Sequence, residues 1–144
     1  MGSLVAILQK RSPVLHALEP HDTVTRAAHV MAEHSVGSVV IVYGGRLVGI
    51  FTERDLLRRV VARGHTPERT YLKDVMTPAP VVAQIGESRA SAIAKMQALG
   101  CRHLPVVIGA EVVDVVSIRD LLYWELDERT CEVDSLRRYI GGSY

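Results

Sequence analysis

The chain has 144 residues, is 48% hydrophobic and 23% charged, and sets 17 basic against 16 acidic side chains for a net charge of +1. That composition fits one globular domain or two small modules sharing a core and excludes a disordered chain, while the balanced charge argues against a dedicated nucleic-acid binder. Two distant cysteines, no leader pattern and no apolar run near the roughly 18 residues that span a bilayer point to a reducing, cytoplasmic setting away from membranes.

In chain order, residues 1–12 read as an N-terminal lead-in, and Pro13-Val14-Leu15-His16-Ala17 as a short extended segment. Val24, Ala27, Ala28, Met31 and Ala32 are apolar at helical spacing, with Asp22 or Thr23 as the cap and Gly37 as the stop. Ser38 to Tyr43 is a β-branched, continuously apolar run, expected of a strand buried on both faces. Gly44-Gly45 is a two-residue turn, and Arg46 to Phe51 pairs back as a hairpin. A second helix starts after Thr52 and runs to about Gly64, and residues 65–73 form a polar linker.

The plan then repeats. An extended lead-in over residues 78–83 precedes a helix from about Arg89 to Leu99 that stops at Gly100. A strand over His103 to Ile108, a turn at Gly109-Ala110 and a strand over Val112 to Val116 follow. The last helix starts after Ser117 and reaches about Glu128. Residues 129–144 make a C-terminal extension with a short helical pattern (Val133, Leu136, Tyr139, Ile140) before Gly141-Gly142.

The two halves match at a constant offset of 65 with no insertion: Gly49-Ile50-Phe51-Thr52-Glu53-Arg54-Asp55 returns as Asp114-Val115-Val116-Ser117-Ile118-Arg119-Asp120. Pro13, Ala27, Met31 and Val42 fall likewise on Pro78, Ala92, Met96 and Val107. A unit of about 50 residues buries too little surface to stand alone. The prediction is an α+β fold of two pseudo-two-fold-related units, 13–64 and 74–128. Each is a short sheet with two helices, and the two pack sheet to sheet.

Thr52-x-x-Asp55 and Ser117-x-x-Asp120 each fit a capping box. Seen once, such a pattern is ordinarily only a cap; seen twice at the ends of duplicated hairpins, it gains a ligand reading. A helix start presents free N–H groups and a positive dipole end to a phosphate. The hydroxyl adds a donor, the aspartate can accept from a ribose diol, and Arg54 and Arg119 can neutralise charge. Together these describe a nucleotide site.

The chain resembles a tandem pair of cystathionine-β-synthase (CBS) domains, a Bateman module of the small stand-alone bacterial type. The likeness spans nearly all of residues 3 to 127. It rests on Lys73-Asp74-Val75-Met76-Thr77-Pro78, Arg102-His103-Leu104-Pro105-Val106-Val107 and the two hairpin–aspartate motifs. The resemblance implies clefts between the units for adenosine-containing ligands such as AMP, ADP, ATP, NAD or S-adenosylmethionine, with no prosthetic group. It implies that Asp55 and Asp120 hold ribose while Thr52 and Ser117 lie near phosphate. Cys101, Arg102 and His103, with Thr70 and Val75, would line the Asp55 cleft beside Ile50. Val36, Gly37 and Ser38, with Val5, would line the Asp120 cleft beside Val115.

Gly49 is replaced by Asp114 in the second copy, a carboxylate that would crowd or repel an anion, so the Asp55 cleft is expected to be the better phosphate-nucleotide site. Histidine spacings such as His29 and His34 do not suit one helix face, and no metal is predicted. Arg54, Arg58, Arg59 and Arg63 read as a solvated stripe. No nucleophile elbow, phosphate-binding glycine loop or dinucleotide fingerprint is present. The reading is a non-enzymatic, homodimeric regulatory module that signals to an unidentified effector protein. The alternative is a protein-interaction scaffold with vestigial clefts.

Overall fold

The computed structural model describes residues 2–10 and 15–141, so Pro13 and Val14 of the first lead-in, and Gly142, lie outside the described residues. Two helices anchor the repeats, α2 (Val24–His34) and α5 (Arg89–Leu99), and both start on a hydroxyl cap. Thr23 accepts the Arg26 N–H at 3.2 Å and Ser88 the Ser91 N–H at 3.1 Å, satisfying otherwise orphaned donors. Asp22, the other candidate cap, instead accepts the Glu19 N–H. Both helices end on a left-handed residue, Gly100 (φ 64°) in the second unit and Ser35 (φ 53°) in the first. The stop of α2 is therefore Ser35 and not Gly37.

The hairpins repeat down to their irregularities. Strands β2 (Ser38–Tyr43) and β3 (Arg46–Thr52) pair antiparallel with a bulge between Ile41 and Val42. Strands β6 (His103–Ile108) and β7 (Glu111–Ser117) carry the matching bulge between Val106 and Val107. Short strands β1 (Ala17–Leu18) and β5 (Ala83–Gln84) lie parallel to β2 and β6, and β4 (Thr77–Pro78) pairs with β3. The result is one four-stranded and one three-stranded sheet.

Period-two alternation sends the apolar run of β2 to two different cores. Val39 and Ile41 pack with Val24, Ala27, Met31 and Phe51 of their own unit. Val40 turns the other way, onto Val107 and Val112 of the second sheet. This apolar cluster between the sheets joins the units, as predicted.

Sequence periodicity missed how each unit is completed. Residues of the N-terminal lead-in form a helix, α1 (Leu4–Lys10), whose Leu4, Ile7 and Leu8 sit in the core of the second unit. Helix α4 (Leu72–Val75), partly within the predicted linker, places Leu72 and Val75 in the core of the first. The exchange is reciprocal: Leu4 N–H donates to Glu87 C=O at 3.0 Å, and Leu72 N–H to Asp22 C=O at 2.9 Å. Leu4 thus corresponds to Leu72, and the constant offset slips by three residues at the N-terminus. The expectation of no insertion anywhere fails there.

Two helices also differ from expectation. The helix after β3 begins as α3 (Glu53–Asp55) and continues as a π-helix over Leu56–Val61. Helix α6 (Ile118–Gly141) runs unbroken through residue 128 into the C-terminal extension.

Candidate functional site

Each hairpin hands its chain to a helix through the same joint. Thr52 Oγ1 accepts the Asp55 N–H at 3.2 Å, and Asp55 accepts the Thr52 N–H at 3.1 Å. Ser117 Oγ accepts the Asp120 N–H and Asp120 accepts the Ser117 N–H, both at 3.1 Å. Both motifs are reciprocal capping boxes. A second pair of matched bonds positions them: Gly37 C=O accepts the Glu53 N–H at 3.1 Å, and Arg102 C=O accepts the Ile118 N–H at 2.8 Å. What separates the two sites is their surroundings.

Around Asp55 the space is filled. The residue is only 7% exposed. Thr77 Oγ1 donates to its carboxylate at 3.4 Å, and the Arg59 guanidinium lies 3.5 Å from the same oxygen. Arg59 also donates to the Met76 carbonyl at 2.8 Å. The Met76 side chain rests on Gly49, where a Cβ would collide with its sulfur. Arg54 donates to Gly100 C=O at 2.8 Å, bridging the units. Ile50 is buried between Val40 and Thr77, Val75 is a core residue, and Cys101 packs on the second core. The Thr70 hydroxyl donates to Thr66 C=O at 2.8 Å.

Around Asp120 the space is open. A cavity of about 710 Å³ lies between the units, within the usual range for small-ligand sites. The second unit contributes Asp114, Val115, Ser117, Ile118, Arg119 and Asp120. The first contributes Val36, Gly37 and the buried Ser38, which the sequence reading had placed beside Asp120, together with His16, His34 and Glu53. Val5 is not among the lining residues.

Two placements correct the sequence reading. Arg102 and His103, assigned to the Asp55 cleft, line the cavity of Asp120. They lie at the seam, where the His103 ring seats against Gly37 so closely that a Cβ there would stand 2.9 Å from Nε2. The open cleft is also the one bearing Asp114 and not the one bearing Gly49. The glycine does not make room for a ligand; it makes room for Met76.

The cavity's charge is mixed. Burial holds the His103 imidazole below its ordinary 6.5; Glu53 and Asp120 pull it up, and Arg102 pushes it down. His16 is lowered by burial and then by His34, with which it stacks at a centroid separation of 4.2 Å. Sequence reading did not select His16, His34 or Glu53 as lining residues, and it placed Asp114 at this cleft only as an obstacle to an anion. Glu53 was within reach, being the register mate of Ile118 beside Ser117.

The family model for the CBS domain matches the chain twice, over residues 10–62 and 72–127. The chain belongs to the CBS-domain family. Among curated relatives, this CBS pair is 34% identical over 128 residues to the mitochondrial CBS domain-containing protein CBSX3 of Arabidopsis thaliana, covering 85% of this chain and 62% of that protein. The chain thus spans less than two thirds of that relative, and only 55% of an uncharacterised Methanopyrus kandleri protein to which it is 33% identical.

Among solved structures, a putative signal-transduction protein with CBS domains from Burkholderia ambifaria is 29% identical. It superposes with a TM-score of 0.80 over 84% of this chain and 91% of that one. A CBS domain protein from Pyrobaculum aerophilum, complexed with AMP, is 27% identical with a TM-score of 0.74, covering 83% and 89%. Among the described residues, no helix is long and apolar enough to cross a membrane.

Proposed function

We propose that this CBS pair is a non-enzymatic regulatory module that binds an adenosine-containing ligand in the cavity at Asp120 and passes the signal to a partner protein. The observation that carries the reading is a cavity walled by both units and built around the Ser117–Asp120 joint. Asp120 offers a carboxylate to a ribose diol, while Arg102, Arg119 and the seam histidine His103 face a phosphate. The edge Val36-Gly37-Ser38 presents backbone groups to a base. A ligand touching both units at once favours one relative placement of them, and that difference is what a partner reads. The AMP complex of the Pyrobaculum relative supports adenine as the ligand chemistry. The filled surroundings of Asp55 favour the scaffold reading for that cleft alone, where the aspartate serves as a cap.

The test is a thermal-shift and calorimetry panel with AMP, ADP, ATP, NAD, NADH and S-adenosylmethionine on wild type, Asp120→Asn and Asp55→Ala. A ligand at a hundred times its dissociation constant stabilises by about 2.7 kcal/mol. Asp120→Asn keeps an acceptor for the cap but loses the charge, and a charge-assisted hydrogen bond is worth about 1.5–3 kcal/mol. Its affinity should fall about tenfold or more. Asp55→Ala should lower stability while affinity holds. A flat panel on wild type, or affinity unmoved in Asp120→Asn, overturns the assignment.

A further inference from the structure

From Arg129 to Gly141 every residue of α6 is exposed. This arm is about 20 Å long at 1.5 Å per residue. A helix of that length without tertiary packing is marginal in water. Nearer its start, α6 uses Leu121 and Trp124 to pack on its own core. A different stripe faces outward: Leu122, Leu126, Val133, Leu136 and Ile140 are all exposed. Together with Arg129 they occupy successive d and a positions of a seven-residue repeat, beginning with d at Leu122. Leu121 and Trp124 then fall at c and f, so the outward seam is separate from the face already used.

We infer that this seam is closed by a second copy of the chain, the two α6 helices forming a parallel, two-stranded coiled coil. β-branched Val133 and Ile140 at a, with Leu122 and Leu136 at d, is the combination that favours two strands. Charge sets the orientation. In a parallel pair, Glu132 at g meets Arg137 at e of the neighbouring helix, five residues on. An antiparallel pair would instead bring g against g, setting Glu132 against Glu132 of the other copy when the seam overlaps along its whole length. Arg129 at d is held by its own Glu125 at 3.2 Å, and a polar group in the seam restricts register at some cost in stability. The seam starts on the body of the second unit at Leu122 and continues along the arm, so the pairing would couple the units of the two copies directly.

Sedimentation equilibrium on the full chain tests this, with wild type, Val133→Glu, Leu136→Glu, Glu132→Arg, Arg137→Glu and the double charge reversal. Each apolar-to-Glu change should raise the dimer dissociation constant about tenfold or more, with the thermal midpoint held at concentrations where both proteins are monomeric, because both positions are exposed in the single chain. Each single charge reversal should weaken the dimer, and the double reversal should restore it. A monomeric wild type, or a dissociation constant unmoved by Val133→Glu, overturns the proposal. A dimer tightened by Glu132→Arg alone overturns the parallel orientation.

Discussion

His103 and Gly37 share one small volume, and that contact sets the chemistry of the seam. The half-buried ring packs against the glycine backbone with Glu53, Asp120 and Arg102 around it, and desolvation holds its pKa below 6.5 in the folded chain. The unfolded chain therefore binds more protons just under that value. The contribution to stability is complete above about 6.5 and is lost as the pH falls from there through the folded-state pKa. Urea unfolding from about pH 8 to pH 5 should show this decline, and His103→Gln should make it shallower. His16 is shifted in the same direction, so the remaining slope should shrink again in the double variant with His16→Gln. An undiminished slope in the double variant would mean that neither ring is desolvated by folding. At this scale the sequence showed which residues form the capping boxes, because that signal is local. It could not show that Arg102 and His103 face Asp120, because that depends on how two sheets meet.

Elements matched by the repeat do not carry equal burdens. Helix α5 ends on Gly100, but its counterpart α2 ends on Ser35, also left-handed at φ 53°. A non-glycine residue in that conformation costs about 1 kcal/mol or slightly more. Ser35→Gly should recover about that much, read as a thermal midpoint raised by a few degrees. The loop around β4 is a second asymmetry. Thr77 and Arg59 hold the Asp55 carboxylate, and β3 gives way to Met76 at Gly49 beside them. Met76→Ala should uncover that cleft and raise the ligand stoichiometry toward two per chain by calorimetry; a value still at one would show that Arg59 and Thr77 suffice to close it. Strands and hairpins were legible from periodicity and turn residues, down to one glycine pair. The π-helix over Leu56–Val61 and the continuity of α6 were not, because both depend on packing over several turns that local propensity does not encode.

At the scale of the whole molecule, the two units are interlocked. Leu4 completes the second core and Leu72 the first, both fully buried. Leu4→Ala should cost about 2–5 kcal/mol, with hydrogen exchange rising first in β5, β6 and β7, far from it in sequence. Leu72→Ala should do the same to β1, β2 and β3. If each change loosened only its sequence neighbours, the crossed arrangement would be wrong. Under the proposed function the crossing also bears on signalling, since a ligand that shifted one unit would pull on the helix buried in the other.

By itself, the sequence determined the duplication, the helix–strand–strand–helix order of each unit, the two caps and the alternation that makes β2 apolar on both faces. These follow from short-range periodicity and backbone donors, which any copy of the motif must satisfy wherever it sits. Only the tertiary structure decided that α1 and α4 change places, that Met76 fills the space at Gly49, and that the open cavity belongs to Asp120. Those outcomes turn on volume, on which side chain reaches a gap first once two sheets are packed. A register of equivalent residues carries no information about which of two equivalent gaps is occupied.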